Sequence, residues 1–81
     1  MNKQVTKALN KLAFIYAEAH IKVNPLLHKR RGLVILAYQK QNKKHWKSMS
    51  KRTDLPKGGL TGQYFVNHNK PNFSEVEKAL V

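Results

Sequence analysis

Lysine and arginine are concentrated in the middle of this 81-residue chain. Between Lys22 and Lys57 there are eleven basic residues and one acid, Asp54. So much like charge in one compact domain destabilises it through self-repulsion. A bound polyanion relieves that repulsion, and each phosphate that the protein neutralises releases condensed counterions. The charge pattern therefore predicts a polyanion partner, and nucleic acid is the best candidate.

Solubility and membrane binding account for the charge less well. The net charge of +12 exceeds the charge of about 2–8 that keeps a small domain soluble. A membrane-surface helix needs an apolar face opposite its charges, and the basic segment has no clean Trp, Phe and Leu face. The longest apolar run, Leu33–Tyr38, is too short to span a bilayer. The N-terminal residues also lack the layout of a secretory signal. We expect a cytoplasmic protein, associated with the nucleoid if it binds DNA, without a membrane partner.

Neither catalysis nor metal binding is indicated. The length predicts one domain, 1–81, and the absence of cysteine excludes disulfides and thiolate ligands. The spacings of the four histidines match no ligand pattern, and the four acids are scattered. No paired carboxylates, nucleophile–base signature or P-loop is present. We expect no enzymatic activity, no cofactor and no metal.

The first 23 residues predict an amphipathic helix over Asn2–Val23. Val5, Leu9, Leu12 and Tyr16 recur at helical spacing. Another face of the same helix carries Lys3, Lys7 and Lys11. The apolar stripe packs either on the rest of the domain, 24–81, or on a second copy, so a homodimer is one of the two outcomes.

Prolines divide the remaining chain. Asn24 and Pro25 predict the N-cap and first position of a second helix, which runs to Gln41. A buried strand over Leu33–Tyr38 is the alternative. A third helix is predicted over Lys43–Thr53, with Trp46 inward. Trp46, Tyr38 and Phe65 are the aromatic residues available to stack on bases, although a small domain needs such residues in its core.

The C-terminal part predicts two more helices. One follows Pro56 and runs over Lys57–Val66, and the alternative there is a glycine-rich loop that leads into a strand at Gly62–Val66. The last helix starts after Pro71, and Ser74 with Glu77 matches a capping box. The predicted fold is all-α, a five-helix domain.

A short pattern in the third and fourth of these segments has a family counterpart. Asp54 lies in the turn predicted between these two segments. Asn and Asp tolerate the left-handed backbone of such a turn better than other non-glycine residues. The pattern consists of Met49, Ser50, Asp54, Leu55 and Leu60. It resembles the helix-turn-helix DNA-binding domain of phage repressor and Cro proteins, and the resemblance covers residues 31–80. Segment 69–76 looks like the loop and fourth helix of that family.

The resemblance implies a small transcriptional regulator of phage or mobile-element origin that reads duplex DNA. The helix after Pro56 would enter the major groove. Lys57 would then reach guanine and Thr61 a base edge, while Gly58 would allow close approach of the backbone. Phosphates would be held by Lys43, Lys44, Lys47 and Arg52, with Arg30 and Arg31 extending that contact. The alternatives are RNA binding, or a protein-binding inhibitor or adaptor that acts on a nucleic-acid-handling machine.

Overall fold

A computed structural model describes residues 3–80. Within that range the chain forms no strand, and its helical elements are α1 (Lys3–Val23), a 3-10 helix (Pro25–Arg30), α2 (Arg31–Ser50), α3 (Gly62–His68) and α4 (Phe73–Ala79). The all-α prediction is confirmed. The prediction of five α-helices is wrong, because residues 3–80 contain four. None of these helices is long and apolar enough to cross a membrane.

The first helix forms over the predicted range, although Asn2 lies outside the described residues. Leu9, Ala13 and Ala17 are buried, and Ala13 and Ala17 belong to one core cluster with Val34 and Tyr38 of α2. The apolar stripe of α1 is therefore covered by the chain itself. The face that carries Lys3, Lys7 and Lys11 is exposed, as predicted.

The second and third predicted helices are one continuous helix, α2. The break expected between Gln41 and Lys43 is absent, and the strand alternative at Leu33–Tyr38 is wrong as well. Asn side chains often interrupt helices because they bond to nearby backbone, whereas Gln is a good helix former. Here Asn42 donates instead to the Leu9 carbonyl at 2.9 Å. Gln41 exchanges two hydrogen bonds with the backbone of Asn72, at 3.0 and 3.2 Å.

The segment ahead of α2 differs from the prediction. Residues Pro25–Arg30 form a 3-10 helix, and Asn24 makes no side-chain cap bond to it. The Asn24 amide donates instead to Glu77 at 3.2 Å. Asn24 therefore ties the end of α1 to α4.

No helix starts at Lys57. Gly58 and Gly59 have φ values of 100° and 83°, which a right-handed helix cannot accommodate. The Gly59 amide donates to the Pro56 carbonyl at 3.0 Å, and a positive φ at the third position is what a type II turn requires. The predicted helix over Lys57–Val66 is thus wrong in its first half. Residues 51–61 connect α2 to α3. A helix-turn-helix has a turn of about 3–4 residues, so this connection is longer than the turn of that motif.

The last two helices are capped by residues that the sequence pattern did not identify. Thr61 caps α3, and its Oγ1 accepts from the Tyr64 amide at 3.1 Å. The strand alternative at Gly62–Val66 is therefore wrong. Asn72 caps α4 by accepting from the Glu75 amide at 3.0 Å. The capping box predicted at Ser74 is not formed.

A buried histidine joins α1, α2 and α4. With its proton on Nε2, His20 donates to Glu77 Oε1 at 3.0 Å, and its Nδ1 accepts from the Tyr38 hydroxyl at 2.8 Å. The His20 ring also stacks on Phe73, with centroids 4.2 Å apart. Burial raises the pKa of Tyr38 above its ordinary value. The bonds from His20 and Asn24 lower the pKa of Glu77.

We expect Tyr38→Phe to lower the free energy of unfolding by about 1–3 kcal/mol, because it leaves His20 Nδ1 buried without a partner. Urea unfolding followed by circular dichroism measures the change. Tyr64→Phe is the control, since its ring is only half-buried and it removes the same atom. Equal losses in the two variants would contradict a stabilising role for the His20–Tyr38 bond.

Candidate nucleic-acid interface

Four exposed lysines follow the outer face of α2: Lys40, Lys43 and Lys47 within the helix, and Lys51 at its C-cap. We call them the lysine row. Helical residues advance by about 100° each, so the row lies roughly 140–220° around the axis from Tyr38. Tyr38 and Val34 are fully buried against α1. The lysine row therefore points away from α1 into solvent.

The lysine row is extended along the helix. With a rise of 1.5 Å per residue, Lys40 and Lys51 are separated by about 16 Å. Together with Lys44 and Ser48, the row lines a shallow depression. Phosphates along one DNA strand advance by about 3.4 Å each, so the row matches the length of roughly five nucleotides.

Each of the four acidic side chains is paired with a residue that does not belong to the lysine row. Glu18 pairs with Arg31 at 2.6 Å, Asp54 with Arg52 at 3.1 Å and Glu77 with His20 at 3.0 Å. Glu75 pairs with Lys44 at 3.0 Å. The hydrogen bond from Lys44 is the main cause of the lowered pKa of Glu75. Among residues 3–80, no carboxylate neutralises any member of the lysine row.

The structure brings three of the predicted phosphate-binding residues together. Lys43, Lys44 and Lys47 lie within about one helical turn of each other on α2. Lys40 and Lys51 extend the same surface but were not among the predicted contacts. The spacing of three to four residues between successive lysines of the row was visible in the sequence. Because a break was expected after Gln41, Lys40 was placed on a different helix from Lys43 and Lys47. The sequence analysis therefore did not identify the row as one surface.

The three arginines predicted to contact phosphates each have a hydrogen-bond partner within the chain, and their role in phosphate contact stays a prediction. Arg30 Nη1 donates to the Leu80 carbonyl at 2.8 Å. Arg31 bonds to Glu18 and lies 5.0 Å above the Phe14 ring. Arg52 donates through Nε and Nη2 to the two carboxylate oxygens of Asp54, both at 3.1 Å.

The predicted base-contacting residues do not lie on a recognition helix. Lys57 and Gly58 are part of the turn closed by Pro56 and Gly59. Thr61 is committed to capping α3. Gly58 therefore lies in a tight turn and not in a helix.

The aromatic residues are mainly used inside the protein. Tyr38 and Phe65 are 0% and 1% exposed, so their core assignment is confirmed. Trp46 is half-buried, with its ring 5.5 Å from that of Phe65. The lysine row itself contains no aromatic side chain on which an unpaired base could stack.

Two further polar regions lie outside the lysine row. Lys3 and Lys7 form a smaller basic surface on α1 with Gln4 and Asn10. His45 Nδ1 lies 2.7 Å from Asn69 Oδ1, a contact between α2 and the end of α3. In the part of the chain that the structure describes, no group of three His, Cys, Asp or Glu residues is arranged to hold a metal ion.

Comparison with protein-family models, with curated proteins and with solved structures finds no match to this chain. The lysine row is thus defined by the geometry and charge of α2. Lys3, Lys7 and Lys11 on α1 are also exposed and have no carboxylate partner among residues 3–80. The lysine row differs from them in its length, about 16 Å against about 12 Å.

We expect Thr61→Ala to lower the free energy of unfolding by about 1 kcal/mol, because it removes the N-cap of α3. Lys57→Ala should change it by less than about 0.5 kcal/mol, since the Lys57 side chain is exposed. Urea unfolding tests both variants. An unchanged stability of Thr61→Ala together with an altered base preference would restore the base-reading role of Thr61.

Proposed function

We propose that this protein binds duplex DNA and holds it mainly by phosphate contacts from the lysine row. The observation that carries the proposal is the line of four exposed lysines along about 16 Å of one helix, none with a carboxylate partner among residues 3–80. A site of this kind gains affinity from counterion release, which scales with the number of phosphates that it neutralises.

Two features favour duplex DNA over RNA. The major groove of B-DNA is about 12 Å wide and accepts an α-helix, and α2 exposes the face that carries Lys40, Lys43 and Lys47. The major groove of A-form RNA is too deep and narrow for side chains to read, and single strands are usually held by stacked aromatic rings. Tyr38 and Phe65 are buried and therefore cannot supply that stacking.

The proposed interface predicts weak dependence on DNA sequence. Contacts to phosphates fix position but carry no base information. Lysine can reach guanine, but adenine is read by Asn or Gln and cytosine by Glu or Asp, and the lysine row contains none of these four residue types. A regulatory role, as implied by the resemblance to repressors, would then come from covering DNA and not from reading an operator through Lys57 and Thr61.

The test compares two triple variants that lose the same charge. Lys40→Gln/Lys43→Gln/Lys47→Gln removes most of the lysine row, and Lys22→Gln/Lys29→Gln/Lys70→Gln removes three exposed lysines elsewhere. Binding to a fluorescent duplex of about 24 base pairs is measured by anisotropy between about 50 and 200 mM salt. The slope of log K against log salt should become shallower by about 2.7 in the row variant, since each phosphate contact contributes about 0.9. The control slope should change by less than about 1.

Three results would contradict the proposal. Equal changes in the two variants would show that net charge, and not the lysine row, sets the affinity. No binding of the wild-type protein to the duplex at any salt concentration would exclude DNA as the partner. Tighter binding to a single-stranded or stem-loop RNA at equal salt would favour the RNA alternative. Circular dichroism of both variants checks that they keep the helix content of the wild-type protein.

A further inference from the structure

An apolar groove lies between α2 and α4. Its volume is about 310 Å³. Leu33 and Leu36 form one side, and they are 55% and 47% exposed. Val76, Ala79 and Leu80 contribute from the other side. We call this feature the α2–α4 groove.

The exposed leucines form part of a contiguous apolar surface. Single apolar residues at a protein surface are ordinary, but a contiguous patch rimmed by polar groups is typical of an interaction site. Leu33 and Leu36 are one turn apart on α2 and border the same groove as Leu80. They are therefore placed to bury apolar side chains of a ligand.

The charge of the groove changes along its length. Lys40 and Lys44 border it on the C-terminal side of the leucines. Its carboxylate, Glu75, is already paired with Lys44 at 3.0 Å. Beyond Lys40 the outer face of α2 continues as the lysine row. The groove thus combines an apolar end with an end that attracts negative charge.

The walls of the α2–α4 groove are fixed by hydrogen bonds. Gln41 holds the start of α4 through two bonds to the Asn72 backbone, at 3.0 and 3.2 Å. Arg30 holds the end of α4 through the Leu80 carbonyl at 2.8 Å. A ligand would therefore meet a preformed groove, which reduces the entropic cost of binding.

We propose that the α2–α4 groove binds an acidic amphipathic helix of a partner protein. Leu33 and Lys44 are about 16 Å apart along α2, the length of a three-turn helix. Such a helix would place apolar side chains on Leu33 and Leu36 and a carboxylate near Lys40, which is exposed and has no carboxylate partner among residues 3–80. This is the helix-in-groove mode of recognition. A second copy of this chain is a poor occupant because each copy carries +12. A nucleic acid backbone has no apolar groups to cover the leucines.

Two synthetic peptides of about 14 residues test the proposal. One places Leu at helical spacing on one face and Glu on the other, and the second has the same composition in scrambled order. Both carry fluorescein, and binding is measured by anisotropy at about 150 mM salt. We expect the amphipathic peptide to bind at least about tenfold more tightly than the scrambled one, because only its leucines reach the groove together.

Matched variants locate the site. Leu33→Ser/Leu36→Ser should abolish the tenfold preference. Val23→Ser/Leu26→Ser, which changes apolar residues that are 74% and 86% exposed and lie outside the groove, should leave it intact. All four positions are exposed, so both variants should fold, and circular dichroism checks this. Amide chemical-shift changes on adding the amphipathic peptide should cluster at 33–44 and 75–80.

The proposal is overturned by equal binding of the two peptides, by equal effects of the two variants, or by shift changes centred elsewhere. A dimer in sedimentation equilibrium that Leu33→Ser/Leu36→Ser dissociates would also overturn it, since a second copy would then be the occupant.

Discussion

Tyr38 and Asn42 are buried one turn apart on α2, and both are hydrogen-bonded to α1. These two bonds set the rotation of α2 about its own axis, because a polar group buried without its partner would destabilise the fold by about 1–3 kcal/mol. Once that rotation is set, the lysine row must point into solvent. The same rotation turns Gln41 towards Asn72 and so positions α4. The candidate interface and the α2–α4 groove both follow from how α2 packs on α1.

Each of the four carboxylates pairs with one basic side chain, namely Arg31, Lys44, Arg52 or His20. Three of these pairs join two helices, and the Arg52 pair lies within the loop between α2 and α3. Contacts between exposed charges contribute little stability individually. Their arrangement nevertheless leaves the lysine row without neutralising partners among residues 3–80. The row therefore holds four like charges along about 16 Å, and a bound polyanion would relieve their repulsion.

The spacing of the apolar residues was enough to predict α1 and its exposed lysines, because these residues recur every three to four positions along the helix without interruption. It failed where side chains act over long sequence distances. Gln41 and Asn42 resemble a helix end until their partners in α4 and α1 are known. Arg31 resembled a phosphate ligand, but its partner Glu18 is on another helix. Gly58 and Gly59 were assigned to a helix, with a glycine-rich loop as the alternative. Their positive φ values confirm the loop, which two adjacent glycines favour.

The most direct test is lysine acetylation footprinting of the full chain with and without a saturating duplex of about 24 base pairs, read by mass spectrometry at about 100 mM salt. The lysines outside the row act as internal controls in the same sample. We predict strong protection of Lys40, Lys43, Lys47 and Lys51, with little protection of Lys22, Lys29 and Lys70. Uniform protection, or protection centred on Lys57, would contradict an interface on the outer face of α2.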